Sequence, residues 1–271
     1  MKQGLFSSES AMWRVNRENF VLIGGAAAAI LQVAHPAVAM GVAARSNFRN
    51  DMTGRLRRTL EAVYTIAFGT AEDAAFVEQR VRAAHERVRG DHPEPYSAMD
   101  PAALMWVLAT LVSTSVEMHL RYGSPLTRDD REAFYTDMRV FGRCFGLDPS
   151  YGPRSWGEFE DYYRGMIDGP LLGSHPLCAE VACSIVIPQT PSYLRLLSPW
   201  LAPLACEYVP EPVRSRLRLP SRRWHGPAVR AFEGGIRLLH PLLPSILRHA
   251  PAYRKALARI SVEQRVAPRE Q

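Results

Sequence analysis

Histidine and arginine side chains are the main candidates for chemistry in this sequence, because the common catalytic signatures are missing from it. The 271 residues contain no GxGxxG, phosphate-loop, HExxH or GxSxG pattern. They also lack the Glu-x-x-His pairs that form a di-iron site in a helical bundle. The cysteines form no CxxC pair and are predicted to be reduced, buried thiols: Cys144, Cys178, Cys183 and Cys206.

His85 is the first candidate, and it lies among four arginines in VRAAHERVRG, residues 81–90. On a helical wheel it falls on the border between an apolar stripe and a polar one. The apolar side contains Val77, Val81, Ala84 and Val88, and the polar side contains Glu78, Arg82 and Arg89. His85 is therefore either a boundary histidine that hydrogen-bonds a neighbour or an axial haem ligand. In the second case Arg82 and Arg89 are available to the haem propionates.

A second group of candidates lies in DMTGRLRRTLEAV, residues 51–63. On a helix, Arg55 and Thr59 share a face that continues into apolar residues, and Arg58 lies beside it. Two guanidinium groups and a hydroxyl on such a face are consistent with a partly buried cationic pocket. The same pattern is equally consistent with an exposed face along which arginine stems pack.

The third candidate is His35, which precedes Pro36 in LQVAHPAVAMGVAARSNFRND, residues 31–51. The His-Pro pair interrupts two apolar helical segments. In one interpretation the histidine caps the carbonyl groups of the preceding helix. In the other it supports a cofactor pocket from behind the residues that touch the cofactor. His119, near a predicted helix end, is interpreted as structural.

Helices are predicted to position all of these residues. Apolar residues recur at helical spacing over 56–68, 72–89, 101–120 and 128–145. Start signals precede the helices at Thr53, Thr70, Asp100-Pro101 and Thr127. Sixteen of the 21 prolines lie from Pro149 onward, which predicts short helices and turns there. We expect an all-α fold with one multi-helix domain over 1–265, in which the proline-rich half, 149–265, packs on the first half.

Charge and hydropathy limit the partners and the location. The net charge is +6, but the arginines are spread along the chain without a compact basic run, so we expect no nucleic-acid partner. Residues 20–44 are long and apolar enough to span a bilayer. They are rich in alanine and glycine and are interrupted at His35-Pro36, so we expect two buried helices and no stable membrane span. Because no signal-peptide pattern opens the sequence, a cytoplasmic location is expected.

Several motifs occur in an order that resembles one known family. These are ILQVAHPAVAMGV, SNF, DMTGRLRRT, the Phe68-Gly69 pair, VRAAHERVRG and PYSAMDPAALMWV. Together they resemble the haem-dependent oxygenases that include latex-clearing protein and the MpaB oxygenase of mycophenolic acid biosynthesis. The motifs are dense over residues 30–107, and a weaker similarity extends to LLPSILRHAP near residue 250.

The resemblance implies an all-helical fold that encloses one b-type haem, with His85 as the ligand of its iron. In relatives such as latex-clearing protein, an R-x-x-K-T pattern lies near the other side of the haem. The matching residues here are Arg55, Arg58 and Thr59. Arg58 stands where the relatives carry a lysine, and an arginine stays protonated, so it cannot ligate iron as a neutral lysine can. It can instead donate hydrogen bonds to bound oxygen, a propionate or a substrate.

The resemblance predicts an enzyme that uses haem b and either O2 or peroxide to oxidise a hydrophobic small molecule. The reaction would be C=C cleavage, hydroxylation or desaturation, as a tailoring step in specialised-metabolite biosynthesis. We expect the cofactor-binding residues to be His85, Arg55, Arg82, Arg89 and His35. Two alternatives remain open from the sequence: a haem carrier or sensor without turnover, and a cofactor-free helical protein whose arginines capture an acidic ligand.

Overall fold

Helices make up 73% of this protein and strands only 3%, so the predicted all-α fold class is confirmed. A computed structural model describes residues 4–44, 52–91, 95–186 and 198–266. Within these ranges the helices form one compact domain.

The first half contains seven α-helices in the described ranges, together with a 3-10 helix and a short hairpin. They are α1 (Ala11–Asn16), the 3-10 helix η1 (Asn19–Gly24), α2 (Gly25–Ala34), α3 (Pro36–Ala43), α4 (Met52–Phe68), α5 (Ala71–Glu86), β1 (Arg89–Gly90), β2 (Tyr96–Ser97), α6 (Pro101–Tyr122) and α7 (Arg128–Arg143). β1 and β2 pair antiparallel, with Arg89 opposite Ser97.

The proline-rich half also forms helices, which are shorter on average. They are α8 (Trp156–Asp168), α9 (Pro176–Val186), α10 (Ser198–Glu207), α11 (Glu211–Arg216), α12 (His225–Leu239), the 3-10 helix η2 (His240–Leu242), α13 (Ser245–Arg248) and α14 (Pro251–Val266). Helix α9 packs on α2 and α3, and α14 packs on α4. The second half therefore forms part of the same domain and supports the helices that carry the site candidates.

Capping residues explain where three of the helices begin. The Thr70 hydroxyl accepts from Asp73 N–H while the Asp73 carboxylate accepts from Thr70 N–H, which is a capping box. Thr127 and Asp130 make the same box at α7, and the Asp100 carboxylate caps α6. The predicted start at Thr53 is wrong, because α4 already begins at Met52.

The predicted break at His35-Pro36 is confirmed. The axis from η1 and α2 turns by 101° into α3 at this point. His35 adopts an extended backbone conformation (φ −77°, ψ 126°), as expected for a residue before proline. The apolar stretch is therefore folded as two helices against the rest of the protein.

Helix α6 crosses the middle of the fold and contacts η1, α2, α7 and α12. Trp106 is fully buried on it, and its indole N–H donates to the Leu31 carbonyl at 2.7 Å. Among the described residues α6 is the one unbroken helix long and apolar enough to cross a membrane, and 67% of its most apolar window is buried inside the protein. Most of the apolar surface of α6 is therefore covered by the rest of the protein.

Candidate functional site

A cavity of about 950 Å³ lies between α3, α4, α5, α6 and the end of α7. Its lining is mainly aliphatic, with Val38, Val42, Val77, Leu104 and Leu108 among the contributing side chains. This volume is at the upper end of the range for small-molecule sites, roughly 300–1,000 Å³. The cavity can therefore hold a large, mostly apolar group.

The α5 wall of the cavity brings His85 and the apolar stripe of the predicted helix together. Val77, Val81, Ala84 and His85 all line the cavity. His85 is half-buried, in contrast to its exposed neighbours Glu86 and Arg87. The imidazole therefore borders an apolar space.

Arg80 also lines the cavity, and it is the functional candidate that the sequence interpretation missed. Its guanidinium lies over the Phe76 ring, with the carbon atom Cζ 5.6 Å from the ring centroid. Phe76 is itself 59% exposed at the cavity edge. Arg80 follows Val77 by three residues and precedes Ala84 by four. Residues at these spacings share a helix face, so the sequence already indicated that Arg80 lies beside the apolar stripe.

The α4 wall contributes Arg58 and Thr59 from the second group of candidates. Both side chains are exposed, so they lie where the cavity opens towards solvent. The structure thus brings His85, Arg58 and Thr59 to one cavity from two helices. The side chain of Arg55 and the SNF motif, residues 46–48, lie outside the described residues.

Arg82 and Arg89 lie away from the cavity lining in the described part of the chain, which corrects their predicted position beside it. Arg82 is exposed and pairs with Glu78 at 3.8 Å on the outer face of α5. Arg89 is not helical, since α5 ends at Glu86 and Arg89 lies in β1. Extending the helical wheel to residue 89 therefore gave it a direction that its backbone does not have.

His35 is 6% exposed and lies behind the α3 wall, while Gln32 and Val38 line the cavity beside it. Its backbone N–H donates to the Gln32 carbonyl, and its ring Nδ1 finds no hydrogen-bond partner among the described residues. Burial lowers the pKa of His35, and the Asp100 carboxylate only partly opposes this shift. The ring is thus a neutral group beneath the cavity and does not touch its contents.

Gly41 permits α3 to approach the other wall closely. A methyl group at this position would lie 3.1 Å from the Val88 Cγ1 atom. Because both residues line the cavity, a larger side chain here would push the two walls apart or fill the space between them.

The sequence of this chain matches a known family. A family model described as "ER-bound oxygenase mpaB/B'/Rubber oxygenase, catalytic domain" matches residues 13–240. The chain belongs to this family. The predicted resemblance to this oxygenase family is therefore confirmed.

Two mycobacterial proteins are similar to part of the chain. They are described as uncharacterized protein Mb2261 of Mycobacterium bovis and uncharacterized protein Rv2237 of Mycobacterium tuberculosis. Each is 29% identical over 150 residues, which is 53% of this chain and 59% of the relative. The match thus spans less than two thirds of the relatives. No solved structure matches the chain.

Metal clusters and cysteine thiols are two other kinds of reactive site that a protein can form. No group of three or more histidine, cysteine, aspartate or glutamate side chains converges there to hold a metal ion. Burial raises the pKa of Cys144 and of Cys206 to about 11, so neither thiol is a ready nucleophile. Within these ranges the cavity between α3 and α7 is therefore the place where the family's chemistry is best supported.

Proposed function

We propose that this protein is a haem b-dependent oxygenase that uses O2 or peroxide to oxidise a hydrophobic small molecule. The observation that carries the proposal is the meeting of His85, Arg58 and Thr59 in one apolar cavity of an oxygenase-family domain. Each of the three alone has an ordinary structural interpretation. A haem site would explain why these three side chains, which come from α4 and α5, lie in the same cavity.

The cavity residues fit a haem by the chemistry of their side chains. A haem needs an imidazole for its iron, apolar walls for its macrocycle and cations for its propionates. His85 is the one histidine among the described lining residues, aliphatic side chains make most of the wall, and Arg58 and Arg80 carry positive charge at its exposed edge. His85 would therefore hold the iron, and the arginines are the candidates for the propionates or for an anionic reactant.

A bound haem would supply the oxidative chemistry, while the protein controls ligation, access and polarity. The Arg58 guanidinium presents several N–H groups, which can donate to negative charge that develops near them. The Thr59 hydroxyl can both donate and accept at the same edge. The aliphatic lining binds the carbon skeleton of a substrate and excludes water from it.

The substrate class follows from this lining. A cavity with few charged groups favours an apolar molecule, and C=C cleavage, hydroxylation and desaturation are the reactions we propose for it. We propose further that the reaction is a tailoring step in specialised-metabolite biosynthesis and that it takes place in the cytoplasm.

The proposal is tested by purifying the protein from haem-supplemented cells and recording its visible spectrum and iron content. We expect a Soret band and about one iron per chain. A colourless protein that takes up no added haemin would refute the proposed cofactor. A protein that binds haem but never consumes O2 or peroxide with apolar alkenes or terpenoids would instead be a carrier or sensor.

A further inference from the structure

Residues 238–247, LLHPLLPSIL, form an apolar segment, called the apolar loop below, which runs from the end of α12 through η2 into α13. Nine of its ten residues are exposed, and none is charged. The exposed fraction is 72% for Leu238, 77% for Leu242, 59% for Ile246 and 58% for Leu247. Single exposed leucines are common on proteins, but a contiguous group of this kind marks an interaction surface.

The ends of the apolar loop are fastened to the domain. The Asn19 amide donates to the Leu247 carbonyl at 2.8 Å, and Arg248 Nε lies 3.3 Å from the Glu18 carboxylate. At the other end His240 is buried, with its Nε2 atom 3.3 Å from the same carboxylate. These contacts hold the backbone in place, so the leucines stay directed outwards and are not covered by the domain.

Positive charge is concentrated in the segments of sequence that flank the apolar loop. Residues 217–262 contain nine lysines and arginines but one acid, Glu233, which gives +8, whereas the whole chain carries +6. The rest of the chain is therefore net −2. Glu233 is already paired with Arg121 at 2.6 Å. The arginines are spread along the whole sequence, as expected, but here the acidic residues that would balance them are missing.

From these observations we infer that the apolar loop docks the protein on the surface of an anionic lipid bilayer. Exposed leucines insert at the boundary between headgroups and acyl chains, and the surrounding cations attract anionic headgroups. A second copy of the chain fits less well, because a two-fold interface would bring two strongly positive segments together. Nucleic acid would use the charge but not the leucines.

The docking surface and the cavity lie towards opposite ends of α6. The Arg237 side chain, next to the apolar loop, donates to backbone carbonyls of Leu120 and Arg121 at the end of α6. The cavity uses the first half of α6, from Ala103 to Leu111. Leu111 and Leu120 are nine positions apart on the helix, or about 14 Å. Membrane docking is thus independent of the proposed haem site, and either can fail without the other.

The test is flotation of the full-length protein with unilamellar vesicles. We expect binding to vesicles of phosphatidylcholine mixed with phosphatidylglycerol, little binding to phosphatidylcholine alone, and release as the salt concentration rises. Leu242→Ser should raise the lipid concentration needed for half-maximal binding about fivefold or more. Leu171→Ser, at a leucine that is 43% exposed in the turn after α8, is the matched control and should bind as the unchanged protein does.

Both variants should unfold close to the temperature of the unchanged protein, because neither leucine belongs to the buried core. Absence of vesicle binding, or equal binding by Leu242→Ser and the unchanged protein, would overturn the inference. A dimer that Leu242→Ser dissociates, without vesicle binding, would make the loop an interface between copies. Binding to duplex DNA in the absence of vesicle binding would mean that the positive charge of residues 217–262 binds nucleic acid, and would overturn the inference.

Discussion

His85 and Arg80 lie on opposite borders of the apolar face that α5 turns towards the cavity. Five residues separate them, which places the two side chains about 140° apart around the helix. An imidazole and a guanidinium thus stand on either side of a strip of valine and alanine side chains. In the proposed function His85 binds the haem iron and Arg80 binds an anionic group. Helix α5 alone would then supply the iron ligand, part of the apolar wall and a cation.

The first prediction concerns His85. We expect His85→Ala to purify with little haem and to lose or strongly alter the Soret band, because the proposed iron ligand is removed. Gln79→Ala is the control on the exposed face of the same helix and should keep its haem. Equal haem content in the two variants would assign the ligand to another residue.

The second prediction separates two arginines of α5. Arg80→Gln should weaken haem binding by about 1.5–3 kcal/mol, the value of a hydrogen bond to a charged group. That corresponds to roughly a ten- to hundredfold higher Kd. Arg82→Gln should leave the Kd within about twofold, because Arg82 makes an exposed pair with Glu78. Titration of haemin into the haem-free protein measures the Kd of both variants. A larger increase in Kd for Arg82→Gln than for Arg80→Gln would make Arg82 the propionate partner.

The third prediction concerns Arg58. Arg58→Lys introduces an amine that can lose its proton and ligate iron, whereas the arginine cannot. We expect the spectrum of the haem-loaded variant to change as the pH rises towards the pKa of the lysine, while the unchanged protein shows no such transition. Arg57→Lys, at an exposed neighbour that pairs with Glu61, is the control. Identical pH titrations of all three proteins would place residue 58 away from the haem.

The fourth prediction concerns the packing of η1 on α6. A methyl group on Gly24 would lie 2.3 Å from Thr114 Cγ2 and 2.9 Å from Met118 Cγ, whereas one on Gly25 meets no atom within 4 Å. Gly24→Ala should therefore lower the free energy of unfolding by about 1–3 kcal/mol through overpacking. Gly25→Ala should raise it by about 0.4–1 kcal/mol, since alanine is less flexible in the unfolded chain. Urea denaturation measures both changes. Equal changes in the free energy of unfolding would mean that Gly24 is not in close contact with α6.

The fifth prediction is that stability falls as the pH is lowered through about 6.5, the ordinary pKa of histidine. Burial lowers the pKa of four histidines in the folded protein: His35, His119, His240 and His249. Below this pH the unfolded chain binds protons that the folded protein does not, so stability rises with pH across the window and levels off above it.

Thermal unfolding between about pH 5 and pH 8 checks this dependence. His249→Gln removes one of the four groups, so its melting temperature should fall less steeply on acidification than that of the unchanged protein. Cys183→Ser is the control, at a thiol that is exposed although the sequence predicted it to be buried, and it should show the unchanged slope. A melting temperature that increases on acidification through the window would contradict the prediction.

The local structure around the candidates could be predicted from the sequence. Apolar spacing and capping residues define α5, α6 and α7 to within a few residues, and the His35-Pro36 pair marks the 101° turn. These features depend on short-range hydrogen bonds and steric limits that each segment carries with it. The order of the motifs likewise contained enough information to indicate the oxygenase family.

The tertiary structure decided which candidates share the cavity. A helical wheel shows that α5 has an apolar stripe, but both borders of the stripe carry charged side chains. Only the tertiary packing, in which α5 contacts α4, places Arg80 among the lining residues and Arg82 outside them. The hairpin similarly turns Arg89 out of the helix. The leucines of residues 238–247 are exposed because contacts with Glu18 and Asn19 hold the ends of the apolar loop on the domain. Long-range contacts set burial, so the sequence determined the helices and the tertiary structure determined the surfaces they present.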